Sequence, residues 1–154
     1  MKCVIAGGSG FLGRALYERL ASKGHEVVVL TRGAAHNDGA VRFVTWSAVD
    51  EPGPWREEIN GAGAVINLAG AGLADKRWTM GRKEELHSSR ILATRALVSA
   101  IRDSSVRPQV LLSGSAIGFY GAQPEDGPAL GDGGIRRALP HTHHPEDPEG
   151  DRRG

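Results

Sequence analysis

The glycines of Gly7-Gly8-Ser9-Gly10-Phe11-Leu12-Gly13 are spaced for phosphate chemistry. A GxGxxG run between a buried strand and a helix seats a pyrophosphate on backbone N–H groups. Gly7 permits the tight turn out of the strand. Gly10 has no side chain, so the pyrophosphate can approach the backbone. Gly13 lets the helix pack closely on the sheet. Phe11 and Leu12 open the helix, where free N–H groups and the helix dipole attract phosphates. The implied ligand is a dinucleotide. A phosphate loop for nucleoside triphosphates is rejected, because Arg14 and Ala15 stand where such loops carry Lys and then Ser or Thr.

The end of the next apolar run selects between the two nicotinamide dinucleotides. NAD(H) sites usually place an acid there to bind the ribose 2′-hydroxyl. Here the run ends Leu30-Thr31-Arg32, and no acid follows before Asp38. Arg32 can hold a 2′-phosphate in a charge-assisted pair, so NADP(H) is expected and NAD(H) is less favoured. The competing reading of Arg32 is a solvated surface residue.

Other reactive side chains are few. Cys3 lies in an apolar run and reads as a small core residue. As a single cysteine it can form no internal disulfide. His141, His143 and His144 form a His-rich tract between Pro140 and Pro145, with no scaffold around it. No metal site is expected there or elsewhere.

The elements that must position these residues follow from periodicity. Lys2 to Ala6 is a short apolar run ending at glycines, as a strand buried on both faces reads. Leu12, Leu16 and Leu20 recur every four residues, a helical stripe that Gly24 stops. Val27 to Leu30 is the next strand. Residues 33–40 read as a polar loop, and Val41 to Trp46 as a third strand. Residues 52–63 hold a short helix at most. Ala64 to Leu68 is a fourth strand. A long helix is expected over about 79–103, with Leu86, Ala93, Leu97 and Ile101 on one face, widened by Ile91 and Val98. Val110 to Leu112 is a fifth strand. Strands alternating with helices predict an α/β, doubly wound parallel sheet of Rossmann type.

Bulk properties narrow the function classes. The chain has 154 residues, with 19 basic and 18 acidic side chains and a net charge of +1. That balance gives no footprint for nucleic acid or an anionic membrane. No apolar stretch approaches the roughly 20 residues of a spanning helix. With no signal-peptide pattern at its start, the chain is expected to be cytoplasmic.

Several stretches together resemble the short-chain dehydrogenase/reductase superfamily in its extended or atypical form. They look more narrowly like its "epimerase family proteins", akin to nucleoside-diphosphate-sugar epimerases. The resemblance rests on the glycine loop, on Asn67-Leu68-Ala69-Gly70, and on Lys76-Arg77-Trp78-Thr79 with Arg82-Lys83 and Ser88-Ser89-Arg90-Ile91. It rests also on Leu112-Ser113-Gly114-Ser115-Ala116-Ile117-Gly118-Phe119-Tyr120-Gly121. It implies that Asn67, Ala69 and Gly70 border the adenosine and nicotinamide ribose. It implies that Ser113 and Ser115 face the nicotinamide end, with one hydroxyl near the substrate. Both segments leave the carboxyl ends of strands, where open α/β sheets bind ligands. At Asn67 the competing reading is a strand-end side chain bonding the backbone of a turn. At Ser113 and Ser115 it is ordinary turn chemistry. Many extended relatives carry Asn at the position of Arg90, which either faces the cofactor cleft or snorkels.

The superfamily's proton relay needs Tyr with Lys four residues later. The only tyrosines are Tyr17 and Tyr120, followed at that spacing by Ala21 and Pro124. After about residue 121 the hydrophobic pattern lapses into Gly, Pro, Asp, Glu, His and Arg. Such a segment buries too little to offset its ordering entropy. The expected organisation is therefore a dinucleotide domain over 1–121, shorter than in relatives, and a disordered, out-of-frame tail over 122–154. The expected function is an NADP(H)-binding member of the epimerase/oxidoreductase class with weak or no catalysis, on a substrate the sequence does not name. The alternative is a non-enzymatic nucleotide-binding module, or a homodimer paired through an exposed sheet edge.

Overall fold

A computed structural model describes residues 1–48, 53–72, 77 and 79–114. The chain forms β1 (Lys2–Ala6), α1 (Phe11–Ser22), β2 (Glu26–Thr31), β3 (His36–Asp38), β4 (Val41–Thr45), α2 (Trp55–Ile59), β5 (Ala64–Asn67), α3 (Met80–Asp103) and β6 (Val110–Ser113). The strands make one sheet in the order β3-β4-β2-β1-β5-β6. All pairings are parallel except β3 with β4. This is the doubly wound α/β sheet expected from the alternation of strands and helices. The chain reverses its winding between β1 and β5, so the crevice of the sheet opens above their carboxyl ends.

The core has two halves because strand side chains alternate between faces. Val4, Ala6, Val28, Leu30 and Val65 pack with Ala93, Leu97 and Ala100 of α3, and with Trp46, Trp55 and Ile59. Ile5, Val27, Val29, Phe43 and Ile66 pack with Tyr17 of α1 on the other face. Trp46 and Trp55 meet edge to face, with ring centroids 5.4 Å apart.

Three details differ from the sequence reading. Residues 36–38, expected in a loop, form the antiparallel edge strand β3, where His36 stacks on Phe43 at 4.2 Å. Backbone pairing to β4 and one ring contact suffice to order a polar segment that has no apolar period. Leu12 is 68% exposed and lies off the packed stripe of α1, which runs instead through Gly13, Leu16, Tyr17 and Leu20. On α3, Val98 is 37% exposed and does not widen the buried face, which runs through Leu86, Ala93, Leu97 and Ala100.

The ends of the helices follow their signals. Gly24 adopts φ +77°, and the N–H groups of Lys23, Gly24 and His25 close the last turn of α1. Thr79 caps α3 by accepting from the Arg82 N–H at 3.2 Å. No described helix is long and apolar enough to cross a membrane. On β6, Val110, Leu111 and Leu112 are 40%, 36% and 54% exposed.

Candidate functional site

Four glycines turn the chain from β1 into α1, and they differ in what surrounds them. Gly7 has φ +81°, and a Cβ there would lie 2.6 Å from the Leu68 carbonyl. A Cβ on Gly8 would lie 2.5 Å from a methyl of Val29. On Gly13 it would lie 2.5 Å from the Gly7 oxygen and from Gly8 Cα. At Gly10 the nearest atom is the Gly7 oxygen, at 3.4 Å. Protein atoms therefore fill the side-chain space at Gly7, Gly8 and Gly13, and leave it open at Gly10. Gly10 is the N-cap of α1 and makes no side-chain cap, and the first turn holds no acid. The early N–H groups of α1 thus have no capping side chain, and Phe11 and Leu12 beside them are both exposed.

At the exit of β2, the Thr31 hydroxyl accepts from Gly33 N–H at 3.1 Å. Thr45 donates to the Gly33 carbonyl at 2.8 Å. Arg32 is exposed between these bonds and forms no ion pair among the described residues.

The loop leaving β5 is held by side chains of α3. Asn67 is 4% exposed, and its amide donates to Thr94 Oγ1 at 3.0 Å and to Ser113 Oγ at 3.4 Å. Its carbonyl oxygen accepts from Ala69 N–H at 3.1 Å. Asn67 thus bonds the backbone of a turn, and it also ties β5 to α3 and β6. Further along, Ser89 Oγ accepts from Ala71 N–H at 3.0 Å, and Arg82 donates to the Gly72 carbonyl. Arg90 donates to the Leu86 carbonyl at 2.9 Å and lies across Gly70, whose Cβ would come within 3.1 Å of it. Two stretches singled out in the sequence, Asn67 to Gly70 and Ser88 to Ile91, are therefore packed together.

Gly7, Gly10 and Gly13 thus stand at the end of β1, Thr31 and Arg32 at the end of β2, and Asn67, Ala69 and Gly70 at the end of β5. Ser113 is the last residue of β6, next to Asn67. Ser115 lies outside the described residues, as do Lys76, Trp78, Tyr120, the histidine tract and the segment 122–154. Tyr17 is buried edge-on against Phe43, and its hydroxyl accepts from Arg14 Nε at 3.3 Å. That bond, with Glu18 nearby, holds the Arg14 guanidinium above its ordinary pKa. Cys3 is buried in β1, and burial pushes its thiol pKa up, which suits a core residue and not a nucleophile. No metal-binding cluster of His, Cys, Asp or Glu occurs among the described residues.

The sequence reading missed Val29 against Gly8, Thr45 on Gly33, and Thr94 and Ser89 under the β5 loop. Each joins residues far apart in the chain. The available signals were the glycines themselves, Thr45 at a strand end, and the Ser88–Ile91 stretch that contains Ser89.

Comparisons place this geometry among known proteins. Residues 3–140 match the NAD dependent epimerase/dehydratase family. An epimerase family protein of Staphylococcus saprophyticus is 36% identical over 118 residues, 76% of this chain and 38% of that protein. An Arabidopsis thaliana protein described as a chloroplastic SDR39U1 homolog, also an epimerase family protein, is 34% identical over 79% of this chain and 36% of its own. The chain thus spans less than two-fifths of either relative. The crystal structure of human epimerase family protein SDR39U1 (isoform 2) with NADPH matches with a TM-score of 0.63 at 27% identity, over 80% of this chain and 39% of that one. MoeE5 in complex with UDP-glucuronic acid and NAD shares the fold, with a TM-score of 0.63 at 22% identity, over 80% of this chain and 40% of its own.

Proposed function

Because this chain belongs to the NAD dependent epimerase/dehydratase family, we propose that it binds NADP(H) above β1, β2 and β5 and is a weak or inactive member of the epimerase/oxidoreductase class. The observation that carries the reading is the contrast among the glycines. Packing accounts for Gly7, Gly8 and Gly13, whereas at Gly10 the missing side chain leaves a cradle open beside an uncapped helix start. A pyrophosphate fits that cradle, receiving N–H groups from Phe11, Leu12 and Gly13.

In this reading Arg32 pairs with the 2′-phosphate and Thr31 shapes its turn. Asn67, Ala69 and Gly70 border the adenosine and nicotinamide ribose, and Ser113 stands at the nicotinamide end, the role proposed also for Ser115. The structure of human epimerase family protein SDR39U1 with NADPH favours NADP(H), and NAD(H) stays the alternative. The dinucleotide would supply hydride chemistry. The expectation of weak turnover concerns these 154 residues alone: neither of their tyrosines is followed by Lys at the relay spacing, and Tyr17 is packed in the core.

Thermal shift with NADPH and with NADH tests the proposal. The larger shift is expected with NADPH, and the difference should vanish in Arg32→Ala. Equal shifts in the wild type, or a preference that survives Arg32→Ala, count against it. Steady oxidation of NADPH with a panel of carbonyl compounds would overturn the weak-catalysis part. The exposed apolar residues of β6 favour a second reading, a homodimer paired along that edge. A solution mass that rises with protein concentration and ignores nucleotide would support it.

A further inference from the structure

Arg32 is an exposed side chain on a turn, and a free guanidinium loses much rotamer freedom when it grips a ligand. The turn that carries it is not free. Gly33, the residue after Arg32, has both of its peptide groups held by hydroxyls from two adjacent strands. Its N–H goes to Thr31 Oγ1 at 3.1 Å, and its carbonyl accepts from Thr45 Oγ1 at 2.8 Å. Thr31 and Thr45 are register partners in the parallel pair of β2 and β4, and Trp46 N–H closes the pairing on the Thr31 carbonyl at 2.9 Å. The first bond is local, spanning two residues, and forms wherever a Thr precedes such a turn. The second joins the turn to a different strand, and so ties the Arg32 backbone to the sheet.

We propose that Thr45 is a positioning residue for cofactor discrimination, holding the Arg32 turn in the orientation that presents its guanidinium to a ribose 2′-phosphate. The proposal rests on the reading of Arg32 given above. Thr45 itself touches no cofactor in this account. Its β-branched shape suits a strand end, but Val has the same shape. Only the hydroxyl is specific to the role. It acts by sparing the backbone ordering that the Arg32 turn would otherwise undergo on binding.

The test is the ratio of NADH to NADPH dissociation constants, measured by titration calorimetry on the full chain. Wild type, Arg32→Ala, Thr45→Val, Thr45→Ala and Thr45→Ser are compared, with the melting temperature of each recorded. Arg32→Ala should remove the NADPH preference. Thr45→Val and Thr45→Ala should narrow it by about threefold to tenfold, the scale of one hydrogen bond. NADH affinity should stay unchanged, and Thr45→Ser should restore the ratio. Loss of stability alone would weaken both dinucleotides together and leave the ratio fixed. A ratio untouched in the folded Val or Ala variant overturns the role of Thr45. A wild type without preference, or a preference indifferent to Arg32, overturns the reading of Arg32 and the proposal with it.

Discussion

Two loops meet at the ends of neighbouring strands β1 and β5, and they are built by opposite means. The β1–α1 turn is shaped by side chains that are missing, so that Leu68, Val29 and the turn's own backbone fit where Cβ atoms would be. The loop leaving β5 is shaped by side chains that are present: Asn67, Ser89, Arg82 and Arg90 bond or cover its backbone, and Thr94 holds the Asn67 amide. The first device admits no added side chain at Gly7, Gly8 or Gly13. The second holds only while each polar partner stays in place. Gly7 joins the two, since its closest neighbours are Leu68 and Ala69.

The sharpest break in this contrast comes from the glycines. Gly7→Ala should cost about 3 kcal/mol or more, through its positive φ and its contact with the Leu68 backbone. Gly10→Ala should change stability by no more than about 1 kcal/mol. It should nonetheless weaken NADPH at least about tenfold by filling the cradle. Chemical denaturation and nucleotide titration of both variants check this pair. If Gly10→Ala binds as the wild type does, the open space at Gly10 has no bearing on the ligand.

Asn67→Ala tests the loop built from present side chains. It strands Ala69 N–H and empties the bridge to Thr94 and Ser113, for an expected cost of about 1–3 kcal/mol. Hydrogen exchange should quicken at Ala69 while the β1–α1 turn keeps its protection. Equal loosening of both loops would erase the distinction between them.

A smaller effect is expected where the two devices meet. Gly70→Ala crowds Arg90, a flexible side chain that can retreat. The cycle of Gly70→Ala, Arg90→Ala and the double variant should show a coupling of about 0.5–1 kcal/mol, with the double variant relieved of the clash. Zero coupling would mean that Arg90 does not cover Gly70 in solution.

The smallest effect lies away from the crevice. Arg42 grips Glu58 with both nitrogens and holds its carboxyl below the ordinary pKa, chiefly through the hydrogen bonds. A lowered folded pKa means stability that is present above the unfolded value of about 4 and lost as the pH falls through the folded one. Glu58→Gln should therefore flatten the acid limb of the stability curve and leave the NADH to NADPH ratio unchanged. A shifted ratio would show that the far edge of the sheet speaks to the crevice.

The same contrast explains what could be read from sequence. The glycine turn was legible because each glycine is its own signal and its spacing is local. β1, β2 and β5 were legible as apolar runs, and α3 as a helical stripe ended near Asp103. The polar bridges were not, because Asn67 reaches Thr94 and Ser113 across long stretches of chain, and Thr45 reaches back to Gly33. β3 escaped because His36 to Asp38 has no apolar period and is ordered by its neighbour. Leu12 misled because its spacing fits the stripe, while the packed position on that turn belongs to Gly13, where absence of a side chain brings the helix in.

The pair of indoles described in the fold gives the molecule an optical signature. Trp46 and Trp55 sit nearly perpendicular and buried, at a separation where their transitions couple. Such a pair should rotate near-ultraviolet light strongly and lose that signal on unfolding. Trp46 also follows Thr45 directly and donates to the strand end that carries Arg32. A nucleotide settling on that strand end should therefore be visible in the protein's intrinsic dichroism and emission, without any attached dye.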